Sequence, residues 1–199
     1  SLHDALPISL NYTIMKETIY LIEKWSVFMA HVIREISIKD VENFIDLLSK
    51  IYDESDFTFY NPGEYSPSIA SVSQSLESYI TTPSKAIFVA ESDEQLVGYA
   101  FVNTETFERT QHEAVVYLGV KKYYQKHGVG QALINSIEAW SLNHNIRRIE
   151  ATVVTENSRA IELFKGTGFT IEGELKDKLF INGRYFNEYV MAKIGRAHV

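Results

Sequence analysis

The sequence predicts a single α/β (α+β) domain: a mixed, mostly antiparallel sheet flanked by helices. Three observations lead there. Apolar spacing switches repeatedly between the strand-like and the helix-like period. Three strand-like runs in mid-chain follow one another directly, as antiparallel neighbours do, whereas the last of these and the next strand are each followed by a helix-length segment, as a crossover requires. The 199 residues are 45% hydrophobic and 23% charged with four prolines, enough for one sizeable core and without a low-complexity linker.

Taken in order, Val32 to Ile38 alternates as VIREISI and suits an edge strand with one covered face. Asp40 is expected to cap a helix running to about Tyr52, with Val41, Phe44, Ile45, Leu48 and Ile51 on one stripe. The acidic, aromatic stretch DESDFTFYNPGEYSP, Asp53 to Pro67, turns at Asn-Pro-Gly and leads into a second helix near Ser68 to Ile80. KAIFVAES and QLVGYAFVNTET read as strands joined tightly at Asp93 and Glu94, and His112 to Val120 makes a third. From Gly128, the positions Val129, Leu133, Ile137 and Trp140 recur at helical spacing to about Asn145. Arg148 to Val154 is a strand, and Asn157 to Gly168 a helix closed by the glycine of TGF. Strands near Phe169 to Ile181 and Arg184 to Lys193 meet at Asn182-Gly183, a strong hairpin signal.

The domain is therefore read as residues 32–193. SLHDALPI (1–8) and IGRAHV (194–199) back-translate into DNA strings sharing GCTCTTCCGAT and its reverse complement, so both tails are read as adapter-derived and left out of the fold. In-frame coding of both tails in the source genome would end that reading. Residues 9–31 form an uncertain N-terminal extension, in which 9–28 suit a short apolar helix and Met15 or Met29 could be the start.

A net charge of -7 and a pI near 5.4 argue against nonspecific nucleic-acid binding, which needs a basic face. Apolar runs are strand-length, so no membrane span is expected. The lack of cysteine removes thiolate chemistry and disulfides and fits the cytoplasm. His112, His127 and His144 lack metal-ligand spacing, so no metal is expected.

The stretch YYQKHGVGQALI places Gly128 and Gly130 at the mouth of a helix. A Walker loop needs Gly-Lys-Ser/Thr, but Gln131 and Ala132 follow Gly130. A dinucleotide fingerprint needs a third glycine where Leu133 stands. A pyrophosphate held without metal by backbone N–H groups remains open, beside a glycine-eased turn that binds nothing.

Here the chain resembles the GCN5-related N-acetyltransferase (GNAT) family. Its coenzyme signature Gln/Arg-x-x-Gly-x-Gly/Ala is matched by Gln125, Gly128 and Gly130, and a second signature by Asn157, Ala160 and the Gly-Phe ending at Phe169. YLGV and the closing GELKDKLFINGRYFNEYVM are similar to members acting on small amines or amino acids. The resemblance covers about Val32 to Ala192 and implies acetyl-CoA as co-substrate. It implies that the N–H groups of Gln125, Lys126, His127, Gly128, Val129 and Gly130 hold the pyrophosphate. Leu118 and Val120 would line the pantetheine arm on a splayed strand, where one N–H could serve the oxyanion. Asn157 would hydrogen-bond the arm from the opposite side, or act as a plain helix cap.

A primary amine with a pKa of about 10.4 must lose a proton, costing roughly 4 to 5 kcal/mol near pH 7. Glu113, on the coenzyme-lining strand, is the candidate base, beside the reading of an exposed carboxylate. Where many members carry a tyrosine acid seven residues after the asparagine, this chain has Phe164, which the resemblance still places among the cofactor-binding residues. A thiol of pKa about 8.5 is still a tolerable leaving group. Asp53, Glu54, Asp56 and Glu64, with Glu188 beyond the hairpin turn, are expected to select a cationic acceptor, or to be a solvated surface. The readings are thus an N-acetyltransferase for a small amine or amino acid, one for a protein N-terminus or lysine across an open groove, or a non-catalytic acyl-CoA sensor favoured by Phe164. Edge strands near the last hairpin leave room for a homodimer.

Overall fold

The computed structural model describes Lys16 and residues 31–195, and the expected order of elements holds there. The strands are β1 (His31–Glu35), β2 (Lys85–Ser92), β3 (Gln95–Thr104), β4 (Glu113–Val120), β5 (Arg148–Val154), β6 (Thr170–Ile181) and β7 (Arg184–Ile194). The helices are α1 (Val41–Glu54), α2 (Ile69–Thr81), α3 (Val129–Asn143) and α4 (Ser158–Gly166). Residues 1–30 apart from Lys16, which carry the readings of the 1–8 tail and the 9–28 helix, and residues 196–199 lie outside the described residues. Ile194 continues the last ladder opposite Arg148.

The strands form one sheet in the order β1-β2-β3-β4-β5-β7-β6. Every pairing is antiparallel except β4 with β5. Two tight turns set the hairpins. Asp93 and Glu94 have φ of 48° and 62°, and Asn182 and Gly183 51° and 79°, the left-handed pair whose twist matches the strands.

Alternation along β2 explains how one strand serves two layers. Ala86, Phe88 and Ala90 face a core built with Val129, Leu133, Ile137 and Trp140 of α3 and Phe164 of α4. Ile87 and Val89 face the other side, against Phe44, Leu47, Leu48 and Ile51 of α1 and Leu76 of α2. Leu47 is fully buried, so Leu47→Ala is expected to lower the unfolding free energy by about 2–5 kcal/mol, read as a lower urea midpoint.

Three local readings shift. β1 ends at Glu35, and a 3-10 turn over Ile38–Asp40 precedes α1. Asp40 makes no side-chain cap to α1; its carboxylate accepts two 2.8 Å bonds from Arg34 and one from the Ser37 N–H. Those bonds hold Asp40 below the usual aspartate range. α4 stops at Gly166, yet the glycine of TGF still closes it. Gly168 is left-handed (φ 91°), its N–H donates to Lys165 O, and Phe169 N–H donates to Phe164 O at 2.9 Å. The Phe164 and Phe169 rings meet at 4.9 Å, the apolar contact that accompanies such a cap. Phe164 therefore has a packing role in ending its own helix. No described helix is long and apolar enough to cross a membrane.

Candidate active site

The Gln125–Gly130 turn delivers the chain from β4 into α3 with an unusual backbone. Lys126 (φ 64°) and Gly128 (φ 85°) are left-handed, whereas His127 between them is not. Alternation of this kind turns successive N–H groups towards one concavity. Among the described residues, none of the amides from Lys126 to Gln131 donates to another backbone group; the first bond of α3 runs from Ala132 N–H to Gly128 O at 2.9 Å. A cluster of free N–H donors at the positive end of a 15-residue helix is a site for an anion. Val129, 1% exposed, anchors the turn in the core. A Cβ on Gly130 would stand 2.8 Å from Leu163 Cδ2, so a larger residue there must push the Leu163 side chain aside.

Two side chains brace the turn. Gln125 donates from Nε2 to Val120 O at 3.0 Å and accepts at Oε1 from Arg159 at 2.8 Å. Glu54, at the end of α1, accepts from the Lys122 N–H at 2.8 Å. Arg159 thus brings a cation from the first turn of α4 to this turn. Sequence reading passed it over, although a basic residue two positions after the capping Asn157 was there to be seen.

The sheet opens beside this turn. β4 and β5 pair only over Glu113–Arg148, Ala114–Ile149 and Val115–Glu150. Beyond that, β4 stays with β3 to Val120, and β5 stays with β7 to Val154. Lys121 N–H donates to Val97 O on the β3 side at 2.9 Å. By strand alternation Leu118 and Val120 present their amides to the opposite edge, where β5 has departed. Asn157 Oδ1 accepts from Ala160 N–H at 3.2 Å, so it caps α4, and its Nδ2 is left to face the opening.

A cavity of about 360 Å³ occupies this opening, with Leu118 on one wall and Asn157, Ala160 and Phe164 on the other. Tyr99 crosses over Gly119, where an added Cβ would lie 2.7 Å from Tyr99 Cε1. Tyr99 and Tyr52 share a hydrogen bond, and burial pushes the Tyr99 hydroxyl well above its ordinary pKa. Burial likewise raises Tyr65, to about 12. The tyrosines therefore stay neutral at physiological pH. The Asp53–Tyr65 loop lies against one end of the cavity: the Phe59 ring lies 6.3 Å from Tyr117 on β4, and Phe57 lies 6.4 Å from Phe186 on β7.

The structure redistributes the acids. Asp53 accepts from the Gly63 N–H, Glu64 from Asn61, and Glu54 from the Lys122 N–H. These carboxylates fold their loop and are committed to the backbone. Glu113 sits at the closed end of the β4–β5 pair, 3.9 Å from Arg148, and does not line the cavity. The carboxylate brought there is Glu188, on β7 opposite Val154 and 4% exposed. Desolvation raises its pKa, while the charge of Lys178 and a hydrogen bond from Thr152 act the other way. Its signal was in the strand period: Phe186, Glu188 and Val190 share one face, and a lone carboxylate on an apolar face is conspicuous.

Residues 33–190 match the acetyltransferase (GNAT) domain family. The L-amino acid N-acetyltransferase AaaT of Escherichia coli (strain K12) is 34% identical over 107 residues, 53% of this chain and 66% of that protein. A spermidine N(1)-acetyltransferase of the same organism is 28% identical over 112 residues, 56% of this chain and 59% of that protein. In each comparison the chain spans less than two thirds of the relative's length. A GNAT superfamily phosphinothricin acetyltransferase from Sinorhizobium meliloti, in complex with acetyl-CoA, shares the fold with a TM-score of 0.72 at 19% identity, over 83% of this chain and 89% of that one.

Proposed function

Because the chain belongs to the GNAT acetyltransferase domain family, we propose that it transfers the acetyl group of acetyl-CoA directly to a primary amine of a small molecule or amino acid. The observation that carries this reading is the opening of β4 from β5 beside the free amides of Lys126 to Gln131. A pyrophosphate fits those amides, Gly130 leaves them room, and Arg159 adds a positive charge at the turn. The open edge at Leu118 and the Val120 N–H suits the amides of a pantetheine arm, and Asn157 Nδ2 can meet it from the other wall.

The donor supplies an electrophilic thioester carbonyl; the chain's own residues prepare the amine. Glu188 draws the ammonium into the cavity and takes its proton, directly or through one water, so that the nitrogen presents a lone pair. Its raised pKa moves it towards that of a useful base. A backbone N–H of the open β4 edge faces the developing negative oxygen. The nitrogen bonds to the thioester carbon, the C–S bond breaks, and the departing thiolate takes up the nitrogen's remaining excess proton through water, since Phe164 has none to give. Phe57 and Phe59 flank the cavity, leaning on Phe186 and Tyr117, and narrow the space beside Glu188, which favours a small acceptor over a protein chain. An acidic, cysteine-free chain using acetyl-CoA suits the cytoplasm.

Mixing the protein with acetyl-CoA and a panel of primary amines tests the reading. Amine-dependent thiol release with formation of the N-acetyl product is expected. Thiol release that no amine accelerates would count against it.

A further inference from the structure

The acceptor end of the cavity carries a charge pattern that narrows the class of amine. Among the described residues lining it there is one ionisable acid, Glu188, and no lysine, arginine or histidine. The other polar lining groups include the neutral side chains of Asn103, which accepts from Tyr79 at 2.8 Å, Asn157, Thr58 and Thr152, and the hydroxyls of Tyr52, Tyr79 and Tyr99, which burial keeps protonated. A smaller neighbouring cavity of about 120 Å³ shares Thr58, Phe59, Tyr60 and Leu179 with the first. It adds a second carboxylate, Asp56, and again no cation.

The basic side chains of the adjacent hairpin are largely committed elsewhere. Lys176 pairs with Glu174 at 2.8 Å, and Arg184 pairs with Glu156 at 3.0 Å and lies over the Phe186 ring. Lys178 acts on Glu188 from an exposed position on β6 and does not line either cavity.

An amino acid presents a carboxylate two bonds from its reacting nitrogen. Once that nitrogen is held by Glu188 at the thioester, the acceptor carboxylate must enter the same partly desolvated space beside a like charge, with no cation among the described residues that line it. An amine without a carboxylate meets only favourable groups: one anion and the π faces of Tyr52, Tyr99, Phe101 and Tyr117. Building on the acetyltransferase reading, we propose that the acceptor is an amine with no carboxylate beside its reacting nitrogen, an alkylamine, arylalkylamine or diamine rather than a free amino acid.

Paired ligands that differ by that one group test this: putrescine with ornithine, cadaverine with lysine, and tyramine with tyrosine. Calorimetric titration into the protein, alone and with CoA, reads the acceptor cavity without chemistry. At least one carboxylate-free member is expected to bind about 10²-fold or more tighter than its partner. Glu188→Gln should narrow that ratio to within roughly tenfold, because the like-charge repulsion goes with the charge. Equal or tighter binding of every carboxylated partner overturns the proposal, as does failure of all three carboxylate-free amines to bind or a full ratio surviving in Glu188→Gln. Carboxylated ligands that match the amines until Lys178→Gln removes them would assign their carboxylate to the rim lysine, and the proposal would again fall. Discriminating binding without thiol release would overturn the acetyltransferase reading and leave this one standing.

Discussion

Glu188→Gln is expected to lower kcat/KM for the preferred amine by about 10²–10⁴-fold while acetyl-CoA binds as before. Glutamine keeps the size of the side chain and can still accept from Thr152, so the fold is not at stake; what goes is the negative charge and the proton acceptor. The wild-type pH profile carries the same signature. A raised carboxyl pKa means that activity is lost as pH falls through a value above the ordinary glutamate range, and that limb should vanish from the residual activity of Glu188→Gln. The effect on stability has the opposite sense. Because folding raises this pKa, the folded chain holds the proton more tightly, so the contribution is fullest below the unfolded value and is lost as pH rises through the folded one. A Glu113→Gln variant offers the comparison: its carboxylate lies beside Arg148 at the closed end of the strand pair, and little change in kcat is expected.

Gly130→Val is expected to weaken acetyl-CoA binding by roughly 10²-fold or more, the loss of one or two hydrogen bonds to a charged group at about 1.5–3 kcal/mol each. A Cβ there meets Leu163 at 2.8 Å, and a branched side chain also crowds the amides around it. Gly128→Val acts differently. No atom lies within 4 Å of an added Cβ, but φ of 85° is a conformation that a branched residue resists, so the turn itself must move. Both variants should keep a cooperative unfolding transition, because neither glycine contributes a side chain to the core. Equilibrium dialysis against acetyl-CoA, paired with thermal melts, separates loss of the ligand site from loss of the fold.

Much of this was legible in one dimension because local chemistry decides it. Asn182-Gly183 fixes a hairpin by its own left-handed preference, and Gly168 ends α4 by a cap that needs only six consecutive residues. β5 could be read to the residue from its alternation. What escaped was set by partners distant in sequence. Asp40 looked like a helix cap until Arg34, on the preceding strand, drew its carboxylate away. Glu113 looked like a base because it lies on the strand that borders the cleft. The cleft, however, opens at the other end of that strand, where β5 leaves it, and one strand's sequence does not encode where its neighbour departs. The acidic loop looked like an acceptor surface, but Asp53, Glu54 and Glu64 each found a backbone N–H to bind, which leaves Asp56 and, from β7, Glu188 at the cavities. Phe164 was read as a missing acid. The packing adds a second meaning, since its ring against Phe169 closes the helix that carries Asn157.

The most direct measurement is a calorimetric titration of acetyl-CoA and, separately, of NAD into the wild-type protein. The account predicts saturable binding of acetyl-CoA at one site per chain, lost in Gly130→Val, and no comparable binding of NAD. Acetyl-CoA that fails to bind, or binds equally well when Gly130 is replaced, would contradict it.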